Sequence, residues 1–494
     1  MTDRAISGAP PADRLLGAAP ADDAADDDDD AAGGADQPQA LLEPRDGTPE
    51  PISDPARLAA AARAFGAGRG PVAVDAERAS GYRYGQRAYL VQLRRAGAGT
   101  ALIDPMGCPD LSTLGEALGD AEWVLHAASQ DLPCLLEIGL RPHRLFDTEL
   151  AGRLAGFERV GLGAMVETVL GYRLEKGHSA ADWSTRPLPR EWLTYAALDV
   201  ELLIELRDAL EAQLTRQGKL GWAQEEFAAL LAAPPPPPRA DPWRRTSGIH
   251  RVRSPRSLAV VRELWTTRER LARSRDTAPG RVLPDSAIIA AAQALPRSAE
   301  ALLGLPVFGG RATRRHVQLW YTAVEQARRL PDSALPMAKA DSDDPPPPHR
   351  WRDREPAAAA RLLAAKEAVA AVSAEHAVPV ENLLSPELVR RLAWRPPEAP
   401  GAGPVREALL AGGARPWQAQ LTAAALAAAL AAALTTDSAA AGGQESSAAS
   451  KAAFAATNSG RPTTSGRRGR ASGTSRSIST RAGRPDSTTT RSER

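Results

Sequence analysis

Short apolar runs, each closed by Gly, Pro or charge, fill the chain from Pro51 to about Leu231, and beyond it apolar residues recur every three or four positions. The two spacings predict different elements, because strand side chains alternate while a helical face returns each turn. Strands are expected at "PVAVD" (71–75), "AYLVQLRRA" (88–96), "TALID" (100–104) and "WVLHA" (123–127). Helices are expected at "LSTLGEALG", "DLPCLLEIG" and, as one long element, "REWLTYAALDVELLIELRDALEAQL" (190–214). Three strands joined by short turns and then helix–strand alternation describe an α/β domain with a mixed sheet flanked by helices.

Breaks in the pattern divide the chain. Residues 1–50 are Ala, Asp, Gly and Pro without periodic apolar positions and are read as a disordered acidic tail. The α/β domain spans 51–231, and a Pro-rich linker (232–253, with "PPPPP") follows it. A helical domain at 254–332 carries "SLAVVRELWTTRERLA", "DSAIIAAAQAL" and "RRHVQLWYTAVEQA". A second linker (333–354, with "DSDDPPPPHR") leads to another helical block at 355–434, and residues 435–494, rich in Arg, Ser and Thr, read as disordered.

Charge and cysteine content narrow the function classes. The 494 residues sum to a net charge of +1, which hides an acidic run, "ADDAADDDDD", and an Arg-rich C-terminus. Such blocks are usually solvated tails. The two cysteines, Cys108 and Cys134, form no CxxC, so a zinc ribbon and a disulfide framework are both excluded and a cytoplasmic location is expected. No signal-peptide pattern opens the chain, and "AALAAALAAAL" near Ala424 is too short and Ala-rich to span a bilayer, so no membrane contact is expected.

The first strand ends in two acids, Asp75 and Glu77, one residue apart. Residues two apart on a strand face the same side, and two carboxylates there repel unless a cation lies between them. Solvation in a turn is the alternative. Asp131 follows the fourth strand, where it either joins the pair or merely starts a helix. Tyr195 and Asp199 are four apart on a helical segment and so share a face.

The i, i+2 pair, the later acid and the YxxxD on the last long helix, in that order, resemble the DEDD 3′-to-5′ exonucleases and most closely the ribonuclease D family. "LIDP" at Leu102, "FDTELAGRLAG" at Phe146 and "EKGHSAADWSTRPL" at Glu175 extend the resemblance over about Pro71 to Leu214. It implies a ribonuclease-H-like fold and a site in which Asp75, Glu77, Asp131 and Asp199 ligate two divalent ions, Mg²⁺ or Mn²⁺. Such ions take oxygen ligands, and a pair about 4 Å apart suits phosphodiester hydrolysis. Tyr195 would orient the attacking water, since a phenol with a pKa near 10 is a poor base. "HAASQD" shows the HxxxxD spacing of the family's His branch, but it falls at the second acid, so the Tyr branch is assigned and His126 is read as structural. Asp104, Asp147 and Asp182 are likewise read as structural, with Asp147 a candidate helix cap and Asp182 and Arg186 at the pocket rim.

The block 254–332, above all "RVLPDSAIIAAAQALPRS", resembles the HRDC domain, which implies nucleic-acid binding. Arg311, Arg314, Arg315 and His316 are its candidate phosphate contacts; a solvated basic helix end is the alternative. The block 355–434 resembles a diverged second HRDC-type module. Together these imply a metal-dependent 3′-5′ exoribonuclease acting on single-stranded 3′ ends of RNA such as tRNA-like precursors, with no obligate protein partner. A DNA exonuclease in repair and a non-catalytic nucleic-acid-binding adaptor are the alternatives.

Overall fold

The computed structural model describes residues 37–174, 177–178, 180–235, 237–337 and 345–434. Residues 1–36 of the expected N-terminal tail and the whole expected tail at 435–494 lie outside the described residues.

A five-stranded sheet carries the first domain. Its strands are β2 (Arg69–Arg78), β3 (Ala88–Ala96), β4 (Gly99–Ile103), β5 (Glu122–Leu125) and β6 (Arg144–Asp147), in the order β4-β3-β2-β5-β6. β2 and β4 pair antiparallel with β3, whereas β5 runs parallel to β2 and β6 parallel to β5. The mixed sheet expected from the pattern is therefore the sheet observed. β2 sits at its centre because Val72, Ala73 and Val74 are fully buried, and helices on both faces supply that cover. The run expected to end at Asp75 continues through Arg78, so both acids lie inside a strand rather than in a turn. The four-residue β6 was not expected, being too short to show alternation.

Three expectations are corrected. Residues 37–50 are folded: β1 (Gln39–Leu41) pairs parallel with β7 (Tyr172–Leu174), Arg45 meets Glu205 at 2.8 Å, and Thr48 bonds Thr194. The partners lie more than a hundred residues away, so local composition could not reveal them. The single long helix is two, Arg190–Glu201 and Leu203–Arg216. The break falls beside Glu201, which is fully buried and 3.1 Å from Arg94 of β3. Both linkers carry buried tryptophans, Trp243 packing into the first helical domain and Trp351 against Trp394 in the core that the second helical block shares with the sheet domain.

The helical blocks differ in how they attach. The first, from Pro255, has its own core built on Leu264, Ile288, Phe308 and Trp320. The second shares one continuous hydrophobic core with the sheet domain. Trp417 stacks on Trp222 (5.1 Å, 12°) of the helix Leu220–Ala232, and the buried Lys219 donates to Leu154 O at 2.8 Å and reaches Ala377 O at 3.4 Å. The helix Pro416–Leu434 has the length and hydropathy of a membrane span, yet Leu426 and Leu430 are buried in that shared core. The two blocks repeat one plan. Helices Pro255–Ser274, Pro279–Val282 and Asp285–Ala294 correspond to Pro356–His376, Val380–Leu383 and Pro386–Trp394. A left-handed residue, Asp276 (φ 45°) or Ala377 (φ 47°), turns the chain after each long helix.

Candidate active site

Asp75 and Glu77 project from the face of β2 crossed by the helix Arg190–Glu201. That helix brings Asp199 down, and one carboxylate oxygen each of Asp75, Glu77 and Asp199 lies within 4.8 Å of the others. Tyr195, one turn earlier, hydrogen-bonds Asp199. Strand periodicity thus supplies two acids and helical periodicity the third with its phenol.

Asp131 arrives by a strained turn. β5 ends at Leu125, Ala127 takes the left-handed conformation (φ 58°, ψ 50°), and a single 3₁₀ turn (Ala128–Gln130) delivers Asp131. Asp147, at the end of β6, holds this turn. Its carboxylate accepts from Ala127 N (3.1 Å) and Ala128 N (2.9 Å), and also from Glu149 N and Leu150 N, so it caps the helix Thr148–Ala155 as well. Asp131 stands outside the group of three, 3.4 Å from Arg78, but near enough for its charge to raise the pKa values of Glu77 and Asp199. His126 turns away, 2.9 Å from Thr148 Oγ1, and burial pushes its pKa down to about 4, which fits a structural histidine.

The far wall is made by the segment after β7. Arg186 forks onto Asp104 with two 2.7 Å bonds and onto Tyr89 O, while Asp182 accepts from Ser184, which Arg83 also bonds. His178, Trp183 and Trp192 cluster around Tyr195. Asp104 and Asp182 are therefore framework residues.

Burial raises the pKa values of all four acids, and mutual repulsion adds to it for Glu77, Asp131 and Asp199. Burial and the charges of Asp199, Glu77 and Asp75 push the Tyr195 hydroxyl far above its ordinary value, so it remains a proton donor. The cluster offers only oxygens, the donor set of hard divalent ions, and Asp75, Glu77 and Asp199 are close enough to share one. These residues fit such an ion. A raised carboxylate pKa means that stability is full below the unfolded value of about 4 and is lost as pH rises through the folded values. A cation offsets that repulsion. Adding Mg²⁺ to chelated protein should therefore raise Tm by more at about pH 8 than at about pH 5; equal shifts would remove these acids from the cation site.

The β2–β3 loop that follows Glu77 is docked on the first helical domain. Ala278 N donates to Tyr82 O (2.9 Å), Tyr84 N to Asp276 Oδ1 (3.3 Å) and Arg281 Nε to Gly81 O (2.6 Å), and Arg281 covers the Tyr82 ring at 4.1 Å. In that domain Arg311, Arg314 and Arg315 are exposed on a five-residue helix, Arg311–Arg315. His316 instead accepts from Arg275 (2.9 Å), and its pKa is lowered by burial, Arg275 and Arg315, so it is not a fourth cation there.

Sequence reasoning missed Arg78, Gln92 and the Arg94–Glu201 pair. Arg78 directly follows the acid pair, and Gln92 interrupts an apolar strand, so both left a readable sign. The Arg94–Glu201 contact spans over a hundred residues and left none.

Residues 49–215 match the family model for a 3′-5′ exonuclease, 257–324 that for the HRDC domain, and 344–430 that for a 3′ to 5′ exonuclease C-terminal domain. A ribonuclease D of Gluconacetobacter diazotrophicus is 34% identical over 340 residues, 67% of this chain and 82% of the relative. A solved protein from Bifidobacterium adolescentis is 38% identical with TM-score 0.73, covering 80% of this chain and 99% of its own. Escherichia coli RNase D, an exoribonuclease involved in structured RNA processing, is 29% identical with TM-score 0.58, covering 77% and 98%.

Fold and site together define a 3′-5′ exonuclease that uses divalent metal and carries an HRDC domain. The chain belongs to the ribonuclease D family and is a 3′-5′ exoribonuclease, a hydrolase of phosphodiester bonds in RNA.

Proposed function

We propose that the protein trims RNA 3′ ends, tRNA precursors among them, with two divalent ions held by Asp75, Glu77, Asp131 and Asp199. The observation that carries this is the convergence of three carboxylates within 4.8 Å, with Asp131 beside them. When bound, Mg²⁺ or Mn²⁺ supplies a polarised water and neutralises charge on the scissile phosphate and the leaving 3′ oxygen. The chain's own residues do the positioning. Tyr195 stays protonated and donates to Asp199, which leaves its oxygen to accept from and orient a water rather than to abstract a proton. Water adds at phosphorus as the P–O3′ bond breaks, releasing a nucleoside 5′-monophosphate and a new 3′-hydroxyl.

Exposed Arg311, Arg314 and Arg315 on the HRDC domain support phosphate contact with the incoming strand. Selection for RNA would rest on backbone and 2′-hydroxyl contacts. Two free, buried cysteines, Cys108 and Cys134, accord with a cytoplasmic site of action. The test uses matched single-stranded RNA and DNA labelled at the 5′ end, with Mg²⁺ or Mn²⁺, beside EDTA and Asp75→Ala controls. A metal-dependent ladder on RNA, lost in the variant, is expected. A ladder on DNA alone would move the protein to repair, and binding without a ladder would make it an adaptor.

A further inference from the structure

Gln92 is out of place in β3. Its neighbours Leu90, Val91 and Leu93 are fully buried, and so is Gln92, yet neither its Oε1 nor its Nε2 has a hydrogen-bond partner. An unpaired buried amide costs about 1–3 kcal/mol, which Leu or Met would not incur at similar volume. The position retains the amide nonetheless.

The ladder shows what the amide faces. Gln92 is directly opposite Asp75 in the antiparallel β2–β3 pair and opposite Leu102 on β4. Directly opposed residues share a face, with Cβ atoms about 4.5–5.5 Å apart. Along β3, that face also carries Leu90 and Arg94, and Arg94 is committed to Glu201 and to Thr100. Asp75 is the acceptor directly opposite Gln92, while Glu77 and Thr100 lie one step along the same face, opposite Leu90 and Arg94, and Thr100 already accepts from Arg94. A carboxylate that gives one oxygen to a metal needs a donor for its remaining lone pairs, and such outer partners fix the ligand's orientation.

We propose that Gln92 is a positioning residue of the metal centre: its Nε2–H donates to the Asp75 carboxylate, directly or across one buried water, and holds Asp75 in the ligating orientation. The inference rests on Asp75 being a metal ligand. It adds a residue that touches neither substrate nor metal and acts through its neighbour on the sheet.

The test is Gln92→Met in the full chain, read by metal-free Tm under EDTA and by Mn²⁺ titration without substrate. The expected result is Mn²⁺ affinity roughly 10–100-fold weaker, in a variant whose metal-free Tm shows that it still folds. Gln92→Leu, expected to behave alike, covers the case in which the methionine variant does not fold. Wild-type Mn²⁺ affinity in a folded variant would overturn the proposal. So would a fall in metal-free Tm with unchanged affinity, which assigns the amide to the core. Asp75→Asn is titrated in parallel: if it keeps wild-type affinity, the metal-site reading itself fails, and that failure is distinct from one confined to Gln92.

Discussion

Asp199→Asn should slow 3′ trimming by at least ~10³-fold, about 4 kcal/mol of transition-state stabilisation, in a protein that stays folded. Asn keeps the volume and an acceptor for the Tyr195 hydroxyl, so the helix Arg190–Glu201 need not move. What it removes is one negative charge from a cluster whose oxygens lie within 4.8 Å of one another. That charge is needed only when a cation and the scissile phosphate are present. Without them it is a liability, since burial and Asp75 both raise its pKa. Metal-free Tm should accordingly hold or rise while single-turnover cleavage of a 5′-labelled RNA collapses. Near-normal cleavage would take Asp199 out of the site, and a loss of Tm would make its role structural.

Trp417→Ala should destabilise the nuclease itself, by about 3–5 kcal/mol, although residue 417 lies far along the chain from every catalytic acid. Its ring is 2% exposed, stacks on Trp222, and donates Nε1–H to Glu226 Oε1 at 3.0 Å. Its backbone N–H goes to Glu225. Because the last helical block and the sheet domain share one core, they should melt together. Urea unfolding followed by activity and by tryptophan fluorescence should give one coincident transition with a lowered midpoint. Two separate transitions, with the nuclease unchanged, would make the last helical block an independently folding module. Removing everything from Ser254 onward is therefore expected to expose apolar surface on the helix Leu220–Ala232 rather than simply to free a binding arm.

The docking of the β2–β3 loop works in the same direction. Tyr82 and Tyr84 are gripped by Ala278, Arg281 and Asp276, so the segment leaving Glu77 is seated by the HRDC domain. Asp276 takes a left-handed backbone that Asp tolerates better than most residues. Pro-rich composition at 232–253 and 333–354 marks a linker before each helical block. Composition describes a linker, but large side chains within it, Trp243 and Trp351, decide whether it is tied down.

The sequence alone determined the central strands, the mixed sheet, the HRDC block and the order of Asp75, Glu77, Asp131, Tyr195 and Asp199. Those features follow from short-range periodicity, where two-residue and four-residue spacings fix which side chains share a face. Tertiary structure decided the rest. It carried β2 past its acids, broke the long helix beside Glu201, folded residues 37–50 against Thr194 and Glu205, and merged the last helices with the nuclease core. Each of these depends on contacts between residues distant in the chain. The same holds for Gln92, which reads locally as a flaw in a strand and gains a reason only when β2 places Asp75 opposite it. Burial creates that reason, because an amide in water has partners everywhere and one sealed under a helix must find its own.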